Sequence, residues 1–172
     1  MLTRAGVTNK ITYERNRALI SPNQSVNLDQ YPFTSNREFL EFTFISEGPH
    51  GNIEKRIRFK KIYGHHNAYN LAFGDLDPET GEISDSITTD NKDTDKVLAT
   101  VASAVTAFFE QYPDTMVVAE GSTLSRTRLY RMRIAANLAE IQEVFRIYGL
   151  LEEGWELFVR NKPYLALLVE RI

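Results

Sequence analysis

The sequence has no cysteine, which excludes a disulfide scaffold and any thiolate metal site. It also has no long apolar run. The longest stretches are a handful of residues, far short of the roughly 18 that a membrane-spanning helix requires, so no membrane partner is expected. The opening residues, MLTRAGVTNKITYERN, are basic and polar without an apolar centre, and do not read as a secretory signal. A cytoplasmic protein is the default expectation. No G-x-x-x-x-G-K-[ST] phosphate-binding loop occurs, and no internal repeat, low-complexity tract or linker interrupts the chain.

What is present is a globular composition, 42% apolar and 25% charged over 172 residues, long enough for one well-buried core. The net charge of -3 is unevenly spread. Asp75 to Lys96 holds eight acids against two lysines, a net -6, so the rest of the chain carries +3. Local patches of this kind steer charged ligands whatever the overall balance.

Taken in order, residues 1–36 read as an irregular N-terminal arm with one short strand at Ile11 to Tyr13, and residues 37–172 as a single α+β domain. From Glu38 to Tyr63 the pattern is a hairpin: Leu40, Phe42 and Phe44 alternate with polar residues, Ser46 to Asn52 turn the chain, and Ile53 to Ile62 return. On the returning strand Ile57 and Phe59 face a core, while Arg56, Arg58 and Lys60 form a basic row on the other side. A solvated outer face is the expectation for that row. His65 and His66 are adjacent and so diverge on extended backbone, and His50 lies in another turn. No metal site and no cofactor are expected from them. A strand at Tyr69 to Phe73, a turn through Asp75 to Glu82 and a short strand at Ile83 to Thr88 follow.

The acids at 90–95 have a spacing superficially like that of a calcium loop, but Lys92 stands where a second oxygen ligand is needed and no glycine follows at the sharp turn. Thr94 or Asp95 is expected to cap the next helix. That helix runs from about Lys96 to Tyr112, with Leu98, Val101, Val105, Phe108 and Tyr112 on its apolar side and Thr100 on the polar side, and Pro113 ends it. After Thr115 to Ala119, a buried strand, comes a helix over 124–136. A short helical segment around Leu138 to Gln142, a strand at Val144 to Leu150, and a closing hairpin of Trp155 to Val159 with Tyr164 to Val169 complete the chain. The expected fold is α+β, a mostly antiparallel twisted sheet with two main helices packed on it.

The stretch richest in chemistry is Met116 to Ile134, MVVAEGSTLSRTRLYRMRI. A strand running through a Gly-Ser-Thr turn into a helix that carries Arg126, Arg128, Arg131 and Arg133 directs N–H groups, hydroxyls and guanidinium groups toward one place, as an anion site does. At 100 degrees per residue, Leu129, Met132 and Ala136 form the expected core stripe, with Tyr130 and Ile134 opposite. Gly121, Ser122, Thr123, Arg126, Arg128 and Arg131 are the candidate ligand-binding residues, and Arg126, in the first turn, is the best placed.

The segments FISEGPHGNIEKRIRF, YNLAFGDLDPETGEISDSITTDNKDTDKVLATVASAVTAFFEQYP and GSTLSRTRLYRMRI resemble a family of uncharacterised bacterial proteins, found chiefly in the Bacteroidetes group and classed as a domain of unknown function. The resemblance runs from about Phe39 onward. Its most specific block is GST-x-x-RTRLYR, which Gly121, Ser122, Thr123, Arg126, Thr127, Arg128, Leu129, Tyr130 and Arg131 all fit. It implies a cytoplasmic bacterial setting and no particular activity; His65 and His66 lie outside its pattern.

Three functional readings stand side by side. One is a module that binds an anionic ligand, a nucleotide or nucleic-acid phosphate, at the strand-to-helix turn. Another is a protein-interaction partner, such as a toxin–antitoxin component or a homodimer, given the acidic 75–95 and basic 55–61 segments. The third is a phosphoester- or nucleotide-processing enzyme. Residues 124–138 hold no acid to bind Mg²⁺, so that reading needs Asp75 and Asp77 brought near Ser122.

Overall fold

Alternating apolar and polar residues between Glu41 and Lys61 set the frame of the sheet, because period-two patterning lets one face of an antiparallel pair be buried. Strand β3 (Glu41–Gly48) pairs with β4 (Gly51–Lys61), Phe42 opposite Ile57 and Phe44 opposite Lys55. The turn is tighter than the sequence pattern suggests. Gly48 pairs directly with Gly51, leaving Pro49 and His50 between them, while Ser46 and Glu47 stay in the ladder. Gly51 sits at φ +88°, where a side chain would be strained.

In the computed structural model residues 11–12 (backbone only), 29–84 and 89–172 are described. The remaining strands are β1 (Ile11–Thr12), β2 (Phe33–Ser35), β5 (Ala68–Asp75), β6 (Met116–Ala119), β7 (Phe145–Leu151), β8 (Gly154–Leu157) and β9 (Ala166–Arg171). The helices are α1 (Thr94–Gln111), α2 (Leu124–Ala136) and α3 (Leu138–Ile141). All the described strands join one sheet in the order β1-β2-β3-β4-β5-β6-β9-β7-β8. Every neighbouring pair is antiparallel except β5 and β6. The fold is therefore α+β with a mostly antiparallel sheet, as the sequence pattern indicates.

Helix α1 is the crossover between the parallel β5 and β6. It buries Val97, Val101, Ala104 and Phe108 against the sheet, with the Phe108 ring stacked on Phe59 at 4.2 Å. Leu98 is only half-buried, and Thr100, assigned by pattern to the polar side, is fully buried. Its hydroxyl donates to the Lys96 carbonyl at 2.7 Å and accepts the Tyr31 N–H at 2.9 Å. Both hydrogen-bonding capacities of the group are used, so its burial carries no orphan.

The expected cap also differs. The residue preceding α1 is Asp93, which makes no side-chain bond to the helix. Its carboxylate accepts instead from the hydroxyls of Tyr31 (2.8 Å) and Ser46 (2.6 Å). Asp95 pairs with Arg133. These acids fasten α1 to β3, to the segment before β2 and to α2 rather than to its own first turn. Tyr31 and Phe33 belong to the core, and Phe33–Ser35 is a strand. Residues read from sequence as irregular arm thus close the sheet. Of the short strand at Ile11 to Tyr13, Ile11 and Thr12 pair with β2 and Tyr13 lies outside the described residues. The strand expected at Ile83 to Thr88 is an isolated bridge between Ile83 and Leu76, with 85–88 outside the described residues.

Lys55 falls on the same face as Ile57 and Phe59 and is buried there. Its ammonium pairs with Asp75, the residue opposite it on β5, and the other Asp75 oxygen accepts the Thr89 N–H at 3.0 Å.

At the C-terminal end no hairpin forms between the last two strands. Glu152 and Glu153 make a two-residue turn, with Gly154 at φ +129°, that ties β8 to β7; β9 inserts between β6 and β7. The 158–165 segment recrosses β7, and the Tyr164 ring lies directly on Gly149, where any side chain would overlap it. Both helices cover the same face of the sheet. Val117, Val169 and Ile147 lie in register across three strands; Val117 packs in the α1 core, and Ile147 with Tyr130, Ile134, Leu138 and Ile141.

Urea unfolding checks this account. Phe108→Ala should lower stability by about 3–5 kcal/mol. Lys55→Met alone should cost about 3–5 kcal/mol, and Lys55→Met with Asp75→Leu clearly less, because only the single change leaves a buried charge unpaired.

Candidate functional site

The corner between β6 and α2 is built from its smallest residues upward. Thr123 is extended (φ -138°, ψ 156°) and caps α2, its hydroxyl accepting the Arg126 N–H at 3.2 Å. Thr127, one turn in, is 3% exposed. Its hydroxyl accepts the Gly121 N–H at 3.0 Å and lies 3.4 Å from the Thr123 carbonyl, to which it donates. Gly121 is needed for this close approach, since a Cβ there would overlap the Thr127 amide nitrogen and meet Arg126 Cβ at 2.7 Å. The amide that the sequence pattern assigns to an anion is thus taken by the fold. Ser122 remains exposed, and its hydroxyl accepts from Arg126 Nη1 at 2.6 Å. A guanidinium group is thereby held across the N-terminal end of the helix.

The helix itself is rotated relative to the phase expected from sequence. Tyr130 and Ile134 face the core, together with Thr127 and Ala135. Met132, expected inside, is 56% exposed, Leu124 79%, and Ala136 is exposed as well. The reason is local. Thr127 must face inward to hold Gly121, which carries Tyr130 and Ile134, three and seven residues on, to the same side. The Tyr130 ring packs on Phe73 at 5.6 Å between centroids. Burial pushes its phenol above the ordinary pKa, and the Arg126 charge pulls it part of the way back.

The arginines consequently part company. Arg133 reaches Asp95, and Arg131 Nη1 donates to the Lys162 carbonyl at 3.0 Å. Arg128 is exposed and, among the described residues, forms no side-chain hydrogen bond or ion pair. Ser122 and Arg126 meet at the corner; Arg131, four residues after the inward Thr127, lies toward the Lys162 loop, and Arg128 is turned to solvent. Lys162, on a loop 31 residues further along the chain, carries no motif that could announce its part in positioning Arg131.

The other candidates lie elsewhere. Asp75 is engaged by Lys55 and the Thr89 amide, and Asp77 Oδ1 accepts the N–H groups of Glu79 (2.8 Å) and Thr80 (3.3 Å), closing its own turn. Neither carboxylate is turned to Ser122. The basic row on β4 is not the open face expected. Arg58 bridges Glu41 (2.7 Å) and Glu82 (2.6 Å), and Arg56 donates to the Gly81 carbonyl at 2.8 Å, so the 77–82 loop lies over both. Among the described residues no three His, Asp or Glu side chains converge on a metal-sized site.

The sequence model of a family of unknown function (DUF6934) matches residues 27–172. The chain belongs to that family. The match takes in the whole sheet except β1, together with α1, α2 and the corner between β6 and α2. No curated protein and no solved structure matches the chain. No described helix is long and apolar enough to cross a membrane.

The corner has a direct test. Thr127→Val leaves the Gly121 N–H without its acceptor and should cost about 1–3 kcal/mol, and Gly121→Ala should cost about 1–3 kcal/mol through overpacking, both read as lowered denaturation midpoints. Ser122→Ala should be close to neutral.

Proposed function

We propose that this chain is a binding module for an anionic, phosphate-bearing ligand, a nucleotide or a nucleic-acid backbone, in a bacterial cytoplasm. The ligand meets the N-terminal end of α2 at Ser122 and Arg126 and continues along the helix at Arg128 and Arg131. One observation carries the reading: α2 presents an exposed Arg128 that forms no ion pair among the described residues, three residues from Arg131, and no acid occurs between Glu120 and Glu140. Guanidinium groups bind phosphate oxygens through charge-assisted, frequently bidentate hydrogen bonds. Gly121 contributes by shaping the turn and Thr123 by capping the helix, so the ligand contacts fall to Ser122 and the three arginines.

A fluorescent nucleotide and a labelled single-stranded oligonucleotide, titrated at about 50 and about 200 mM salt, test this. Binding should weaken steeply with salt if several phosphates are neutralised. Arg128→Ala and Arg126→Ala should each weaken it about 10-fold or more, the loss of one charge-assisted hydrogen-bonding group. Wild type and both variants binding alike, or none binding either probe, would remove the reading.

A further inference from the structure

Two stretches of the chain carry basic residues without a single acid, and the fold brings them together. One is residues 121–139, which includes α2; the other is residues 157–169, between Glu156 and Glu170. Arg131 Nη1 joins them by donating to the Lys162 carbonyl at 3.0 Å. The turn that offers this carbonyl is fixed at both ends. The Tyr164 ring is 2% exposed and lies on Gly149, while its hydroxyl accepts the Val159 N–H at 3.0 Å and donates to the Glu156 carboxylate at 2.6 Å. Between those ends Asn161 takes φ +66°, in the left-handed region that asparagine tolerates.

This turn adds a cation to those of α2. Arg160 is exposed and forms no side-chain hydrogen bond or ion pair among the described residues. Lys162 is already engaged, because Glu156 holds its ammonium at 2.6 Å and Glu153 adds to the negative charge acting on it. Cα atoms two residues apart are at most about 7 Å from one another, so Arg160 is rooted beside the point where Arg131 meets the turn. On α2, at 100° per residue, Leu124, Arg128 and Arg131 fall within about 60° of one another, and Leu124 is 79% exposed. The flank of the helix that carries Arg131 therefore sets an apolar side chain among its guanidinium groups. We propose that the 159–163 turn is the second half of the phosphate-binding surface, and that the ligand is a single-stranded nucleic acid whose backbone crosses from Arg128 and Arg131 to Arg160. This rests on the reading of α2 given above and narrows it. A mononucleotide gathers its phosphates at one end, whereas guanidinium groups spread over two elements match a polymer whose charge repeats along its length. Leu124 offers an apolar contact to a base between neighbouring phosphates.

Fluorescence anisotropy with a labelled mononucleotide and labelled single strands of about 4 and about 16 nucleotides tests the proposal. The longest strand should bind at least about 10-fold more tightly than the mononucleotide, since it meets more of the cations. Arg160→Ala should weaken binding of that strand about 10-fold, the loss of one charge-assisted group, and should lower the slope of log affinity against log salt by about 0.7. Its melting temperature should not change, because Arg160 forms no side-chain bond among the described residues. Lys60→Ala, at an exposed position on the face of the sheet away from the helices, should alter neither affinity nor slope. An Arg160→Ala protein that binds the longest strand as the wild type does, with the same slope, would overturn this inference and leave the α2 reading to the Arg128→Ala result. Equal affinity for the mononucleotide and the longest strand would overturn the choice of a polymer. Inorganic polyphosphate of matching charge that competes as well as the strand itself would overturn the assignment to nucleic acid. A wild type that binds none of these probes would remove the α2 reading and this inference together.

Discussion

Two neighbouring strands can run parallel only if the chain returns to the end of the sheet from which it started, and here α1 makes that return. Its small residues, Ala104 and Ala107, let the backbone approach the sheet, and Phe108 fills the space beside them by stacking on Phe59. The β5–α1–β6 unit is the one parallel step, and it joins two antiparallel systems: the β1 to β5 meander and the β6-β9-β7-β8 group. Without α1 seated on β4 and β5, the chain would have no means of delivering β6 to the edge of β5, and the last three strands would have no template.

The anchors of α1 explain why so much buried polarity is tolerated. Asp93 gathers the hydroxyls of Tyr31 and Ser46, Thr100 takes the Tyr31 amide, and Asn91 donates to the Ser46 and Gly51 carbonyls at 3.3 and 3.0 Å. Each bond joins segments far apart in sequence. Apolar packing alone would hold the helix on the sheet but would specify its position along the strands less sharply, since apolar contacts are non-directional. The Lys55–Asp75 pair does similar work between β4 and the chain entering the 77–89 loop. Charge placed inside in this manner is satisfied locally and is not on offer to a ligand.

One-sided covering has a second consequence. The same arrangement that gives α2 its inward Thr127, Tyr130 and Ile134 turns Arg128, Met132 and Leu124 to solvent, and among the described residues it leaves the far side of β6, β9, β7 and β8 without a covering element. The two surfaces differ in kind. The outward side of α2 carries Arg128 with no acid on the same helix, whereas the far side of β6, β9, β7 and β8 is apolar at its centre. They lie on opposite faces of one sheet, so occupation of one leaves the other accessible.

Period-two and period-3.6 patterning made the α+β class, the β3–β4 pairing, both main helices and the Gly121–Arg126 corner legible from sequence, because those signals are local. The α2 phase was not legible. Leu129 and Met132 outrank Thr127 and Tyr130 in hydrophobicity, but the inward side is chosen by the bond from Gly121 to Thr127, which exists only once the corner has formed. Tyr31 and Phe33, read as part of an irregular arm, owe their burial to β3 and α1, partners that the local composition around Pro32 does not announce. Likewise the two last strands alternate as a hairpin should, yet β9 pairs with β6 and β7, since the tight Glu152-Glu153 turn has already committed β8 to β7. What the residue order determined by itself was the kind of most elements and the position of the strand-to-helix corner at Gly121 to Arg126. Which side of α2 faces out and which arginines are taken up by the fold were decided by tertiary contacts, because each depends on a partner more than a helical turn or a hairpin away.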